Sequence, residues 1–282
     1  MGITTLLAVT SFEIIILVLV GLAAGTLGGM LGIGGSIIVI PALAILLGRS
    51  QHLAQASAMI VNVFVALPAA YRHHQAGAVR WDVFWRMLVF GIVFILIGVE
   101  ISDLFERRFE PTLQSIFGAY LLYVIANNIL HMARRQGEPT IGEQRPTWLR
   151  TGFAGSVTGF AAGLLGIGGG TLAVPLLQRV CRLPLRQCIA TSSTVMVITA
   201  AIGAFRKNMT LPTHLTDAGD PIAIADSLLI AACLIPTAMV GGFLGARLTH
   251  VLPLRWVRLA FLLLLALAAL RMLGVGRLLN VW

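Results

Sequence analysis

Between Ile14 and Leu47 the chain runs for 34 residues without an Asp, Glu, Lys, Arg or His. A stretch that long and that apolar belongs in lipid, where about 20 residues suffice to cross the hydrocarbon. As one straight helix it would measure about 51 Å, against a layer about 30 Å thick. The run must therefore break inside the membrane. Its glycines mark the place: GMLGIGGSIIVIP, Gly29 to Pro41, has four glycines in its first seven residues. Irregular backbone in hydrocarbon leaves N–H and C=O groups unpaired, at several kcal/mol each, unless protein, water or a ligand satisfies them. A chain tolerates such a segment where it lines a site.

Further uncharged runs follow at residues 53–71, 87–99, 112–130, 151–178, 188–205, 227–246 and 259–270. Only 11% of the residues are charged, against about 25% in soluble domains. The expected fold class is an all-α, polytopic integral membrane protein with about 8–10 membrane segments. The net charge of +9 comes largely from arginines at segment ends, where snorkelling and loop charge account for them, so nucleic acid is not an expected partner. The three cysteines lack CxxC spacing, and no cofactor or metal site is expected from the sequence. Nor does a cleavable signal pattern lead the chain: a basic n-region is absent and the first apolar run is too long.

A second glycine segment, GLLGIGGGTLAVP, spans Gly163 to Pro175. Sliding the sequence by 134 positions aligns the two halves without a gap from Gly21/Gly155 to Arg72/Arg206, and seven of the thirteen segment residues are identical. Internal duplication is a common plan of secondary transporters. The division reads as a first membrane repeat over 1–135, a linker loop over 136–148 and a second membrane repeat over 149–282. If each broken run turns back on itself, each half makes an odd number of net crossings and the repeats are inverted. That arrangement places 13 of the 20 Lys and Arg residues on one side. Positive residues favour the cytoplasm, so both termini are expected outside.

The second piece of each broken run is too short to span, about 12 residues rising roughly 18 Å. A half-helix that starts near the midplane presents its first N–H groups and the positive end of its dipole to the protein interior, where they suit an anion. Glycine lets backbone approach a ligand closely. Gly34, Gly35 and Ser36 in the first copy, with Gly168, Gly169, Gly170 and Thr171 in the second, are the candidate donors. Ser57, Thr191 and Ser192 follow on the next segments, with Asn62, an amide in an uncharged run. Those hydroxyls could instead bond back to their own helix carbonyls. Gly21, Gly25 and Gly29, like Gly155, Gly159 and Gly163, recur every fourth residue and form ridges for close helix packing. Such ridges serve within one protomer or between two, which leaves a homodimer open. Few ionisable groups fall inside the runs. Glu13 and Glu100 sit near segment ends and His52 and His131 are expected at interfaces, so nothing in the sequence supports proton coupling.

The paired LGIGG segments, their prolines and the Ala190-Thr191-Ser192 pattern resemble the sulfite exporter TauE/SafE family, also called the 4-toluene sulfonate uptake permeases. The first copy departs from that pattern with Ala56, Ser57 and Ala58. The resemblance covers almost the whole chain. It implies a multi-pass transporter of sulfite, a sulfonate or a similar small anion in a bacterial-type plasma membrane, with the lipid bilayer as its other partner. It also implies that the chain is not an enzyme. The competing expectations are an anion channel built from the same loops, an intramembrane hydrolase using Ser36 with His52 or His131, and a non-transporting scaffold.

Overall fold

The computed structural model describes residues 11–31, 34–105, 110–133, 146–215, 220–248 and 254–274. The linker expected over 136–148 lies mostly outside them. Among the described residues ten α-helices run in order: α1 Ser11–Leu31, α2 Ser36–Leu46, α3 Gln51–Gln75, α4 Trp81–Asp103, α5 Glu110–Ala133, α6 Trp148–Leu165, α7 Gly170–Val180, α8 Leu185–Thr210, α9 Ile224–Leu248 and α10 Leu254–Met272. Six of them, α1, α3, α4, α5, α8 and α9, are long and apolar enough to cross a membrane. The all-α polytopic reading holds.

The first long run breaks at its glycines and doubles back. Gly34 takes a left-handed conformation, φ +81°, directly ahead of α2. Glu13 in the first turn of α1 pairs at 2.7 Å with Arg49, three residues past the end of α2. Both ends of the run are thus at one face, and α2, with 11 residues, rises only about 16 Å. Its start lies level with Ala24 of α1, which would be 3.5 Å from a Cβ built on Gly35. The second copy repeats this geometry. Gly166 ends α6 in the left-handed conformation, φ +75°, as a residue with no Cβ penalty does at a helix C-terminus. Gly168 and Gly169 continue at φ +69° and +80° into α7. The Glu13–Arg49 pair closes the hairpin with its side chains 19% and 20% exposed, mostly out of water, where a charge-assisted hydrogen bond is worth more than at an open surface. Arg49→Ala is accordingly expected to lower stability by about 1.5–3 kcal/mol, as read by thermal unfolding in detergent.

The glycine ridges pack within the chain. On α6, Cβ atoms built at Gly155, Gly159 and Gly163 would lie 2.5, 2.4 and 2.1 Å from the carbonyl oxygens of Met87, Gly91 and Ile95 on α4. On α1, a Cβ at Gly25 would lie 2.0 Å from the Ala238 carbonyl oxygen of α9, and one at Gly21 would strike Thr237. The surroundings of Gly29 lie outside the described residues. In both pairs the residue numbers climb together, so the helices run parallel. Each ridge therefore clamps the fourth helix of the opposite half.

The equivalent helices α3 and α8 cross in opposite directions. His52 meets Lys207 near one end, Met59 adjoins Gly203 further along, and the Thr191 hydroxyl accepts from the Arg80 N–H beyond the other end. Two helices related by the 134-residue shift yet antiparallel are what an inverted repeat requires.

Candidate anion site at the crossing of the repeats

Asn62 stands at the centre of that crossing and is fully buried. Its Oδ1 accepts the N–H of Ser36, the first residue of α2, at 3.2 Å. That bond fixes the amide orientation, because an N–H must meet the oxygen. The Nδ2 end consequently faces the other glycine loop: a Cβ on Gly168 would lie only 2.6 Å from it. Both Gly34 and Gly168 also adjoin the sulfur of Met196. The 134-residue shift carries Gly34 onto Gly168 and Asn62 onto Met196. The local axis relating the halves thus passes between an amide and a thioether, with one glycine loop on each side.

Three polar atoms here are buried without a hydrogen-bond partner: Asn62 Nδ2, Ser36 Oγ and Thr158 Oγ1. Thr158, on α6, lies against Gly169, whose Cβ would come within 2.6 Å of its methyl carbon. An orphaned buried donor costs about 1–3 kcal/mol, so three of them around two helix N-termini call for an acceptor. Several of the first N–H groups are already engaged, Ser36 on Asn62 Oδ1, Ile38 and Val39 on the Gly35 carbonyl, Leu172 and Ala173 on the Gly169 carbonyl, while the positive dipole ends of α2 and α7 both point into this region. Asn62 Oδ1 already accepts from Ser36, and the two hydroxyls can donate or accept. An unpaired amide N–H and two hydroxyls beside two helix N-termini make this a polar pocket in which donors are available.

The candidate residues divide between this centre and other work. Gly34 and Gly168 adjoin Asn62, and Ser36 gives it its N–H; Gly35 faces Ala24 of α1, Gly169 faces Thr158 of α6, and Gly170 is the first residue of α7. Thr171 instead pairs its hydroxyl with that of Tyr120 on α5, in a buried contact. Ser57 bonds back to the Leu53 carbonyl at 2.9 Å, the helix-internal alternative. Thr191 accepts from the Arg80 N–H at 3.1 Å and so anchors the start of α4. Ser192 is buried on the same turn as Thr191. Thr158 and Met196 went unread in the sequence, although the repeat shift that maps Asn62 onto Met196 was a usable signal for the latter. His52, expected at an interface, is buried at 2% exposure and belongs to a separate ionisable cluster.

Residues 17–272 match the family model described as sulfite exporter TauE/SafE. The chain belongs to this family. Among TauE/SafE relatives, the probable membrane transporter protein MamO of Paramagnetospirillum magneticum is 28% identical over 291 residues, covering 93% of this chain and 44% of that protein. The MamO protein of Magnetospirillum gryphiswaldense is similar to the same degree, with 45% of its length covered. The chain therefore spans less than half the length of these two relatives. The probable membrane transporter protein YunE of Bacillus subtilis is 25% identical over 293 residues and is covered over 98% of its length. No solved structure matches the chain. TauE/SafE membership and the six apolar helices make this a multi-pass membrane protein.

Proposed function

We propose that this chain is a secondary transporter of a small oxyanion, sulfite or an organosulfonate, held between the two glycine loops and released alternately to either side. The observation that carries this reading is the orphaned amide of Asn62, buried between two helix N-termini that belong to opposite repeats. A tetrahedral or pyramidal oxyanion has several acceptor oxygens, enough to engage Asn62, Ser36, Thr158 and backbone N–H groups together. A loop from each repeat touches the same ligand, so rocking one repeat against the other changes its exposure without dismantling the site. The protein acts in a bacterial-type plasma membrane with both termini outside, on the distribution of arginines. The ridges that could have joined two copies are used inside one chain, so they lend no support to a homodimer.

The test is uptake of radiolabelled sulfite and methanesulfonate into proteoliposomes, with other sulfonates and carboxylates as competitors. Saturable uptake suppressed by one class of competitor supports a carrier. Flux that does not saturate would favour a channel, and no flux of any anion would sink the proposal. Ser36→Ala supplies a finer check. Its hydroxyl has no protein partner, so the fold should not notice its loss. A hydrogen bond to a charged group contributes about 1.5–3 kcal/mol, so the apparent affinity for the anion is expected to weaken about tenfold or more. Unchanged affinity in a saturation assay would remove Ser36 from the site.

A further inference from the structure

Four ionisable side chains converge at the face where α1 begins. Lys207 of α8 is fully buried and donates to Asp103 Oδ1 at 2.5 Å, and His214 stacks on His52 with ring centroids 3.7 Å apart. Cation and carboxylate meet inside this cluster, which ties the ends of α3, α4 and α8 together.

At the crossing of α3 and α8 the two repeats supply matched residues around an unmatched pair. The 134-residue shift carries Val61, Val63 and Ala66 onto Val195, Val197 and Ala200, but it carries Asn62 onto Met196. Met196 is buried, and its sulfur reaches both glycine loops. It would lie 3.1 Å from a Cβ built on Gly168 and 3.7 Å from one built on Gly34. The same point beside Gly168 is 2.6 Å from Asn62 Nδ2, so amide and thioether flank one place on the loop.

The two groups give a ligand opposite things. An amide nitrogen carries two N–H donors, whereas a thioether carries none and accepts only weakly. Ala66 and Ala200, with Val63 and Val197 against them, join Met196 in one apolar cluster. The unpaired polar side chains of the site are present in one copy only. Asn62, Ser36 and Thr158 have Met196, Gly170 and Ala24 at the matching positions of the other repeat.

We propose that Met196 is a specificity-determining residue, giving the site an end that cannot hydrogen-bond and so selecting anions that carry one apolar substituent. The inference rests on the anion-site reading above and narrows it. An anion with oxygens all round presents one of them to the thioether, where it loses solvating water and gains no donor in return. A methyl or alkyl group placed there loses nothing and gains dispersion contacts with the sulfur. The charged head is then left to Asn62, Ser36, Thr158 and the positive ends of α2 and α7. Methionine is unbranched and polarisable, so its side chain adapts to substituents of different size.

The probes are methanesulfonate and sulfamate, two monoanions of nearly the same shape that differ by a methyl against an amino group on sulfur. Binding of each to the purified protein is measured calorimetrically at one pH and one ionic strength. The wild type is expected to prefer methanesulfonate roughly tenfold or more, the order of loss when a buried polar group is left without a partner. Met196→Gln keeps the unbranched side chain but supplies a donor and an acceptor, and should erase or invert that preference. Met196→Leu disturbs the packing but keeps an apolar end, and should preserve it. A purely structural role would move the melting temperature of these variants and leave the ratio of the two affinities alone. Should Met196→Gln fail to fold, Met196→Asn, which copies the residue at the matching position of the first repeat, makes the same comparison. Equal affinity of the wild type for the two probes decides against the inference by itself. So does a preference that survives in a folded Met196→Gln protein, and either result leaves the anion site standing. A wild type that binds neither probe, nor sulfite, would end both readings.

Discussion

Gly25→Ala is expected to unfold or severely destabilise the protein, although it adds one methyl group. The new carbon would stand 2.0 Å from the Ala238 carbonyl oxygen and 2.8 Å from the Ala238 Cα. Both obstacles are backbone, so no side chain can swing aside, and α1 and α9 must separate by more than an ångström along their contact. Overpacking a well-fitted core commonly costs about 1–3 kcal/mol, and a rigid backbone clash belongs at or above the top of that range. In lipid, no hydrophobic force pulls the helices back together once close packing is lost. Gly163→Ala, with 2.1 Å to the Ile95 carbonyl, should behave the same way through α4 and α6. Gly242→Ala is the control. It lies on the same α9 face, but its nearest neighbour is the Gly25 carbonyl at 3.9 Å, ordinary contact, and the better helix propensity of alanine offsets part of any cost. Thermal unfolding in detergent should show a large drop for Gly25→Ala and almost none for Gly242→Ala. Equal melting temperatures for the two would refute the clamp.

Asn62→Asp is expected to abolish transport in a protein that still folds. The substitution is nearly isosteric, and an aspartate oxygen can still accept the Ser36 N–H that Asn62 accepts at 3.2 Å. What changes is the opposite end, where an N–H donor becomes a negative acceptor facing Gly168. Two unit charges 4 Å apart at an effective dielectric constant near 20 repel by about 4 kcal/mol, close to a thousandfold in affinity. Anion uptake should therefore fall by two orders of magnitude or more. Relative to the wild type at the same pH, the defect should ease in acid, where the new carboxyl group protonates. Asn62→Leu should show a smaller loss without that relief. Full uptake by a folded Asn62→Asp protein would move the anion elsewhere.

Much of the candidate site was legible before any coordinates. Glycine is informative because it has few reasons to recur in hydrocarbon: it forms a packing ridge, or it frees backbone to turn and approach a ligand. The four-residue spacing of Gly21, Gly25, Gly155, Gly159 and Gly163 carried the first reading, and the adjacent glycines at 34–35 and 168–170 carried the second. Hydroxyls are less informative, since Ser and Thr satisfy themselves on their own helix as readily as they meet a ligand. Ser57 does the former, while Thr171 and Thr191 serve other helices.

The ionisable cluster could not be read in advance. His52, Asp103, Lys207 and His214 are scattered over 163 positions and obey no motif. They also fall outside the repeat: the 134-residue shift pairs His52 with Arg186 and Lys207 with His73. Each lies at the end of an apolar run, where a charge ordinarily reaches water. Only the convergence of the α3 start, the α4 end and the α8 end at one face buries them together.

The membrane class, the helical fold and the broken runs follow from the sequence alone, because hydrocarbon demands long apolar stretches and sets a length that Ile14–Leu47 exceeds. The duplication too is a property of the string of residues. Which helices touch is not, since any smooth glycine ridge fits any other smooth surface in lipid. Tertiary structure decided that each ridge takes the fourth helix of the opposite half, which crosses α3 over α8. That crossing sets Asn62 opposite Met196 and leaves one unpaired amide between two helix N-termini.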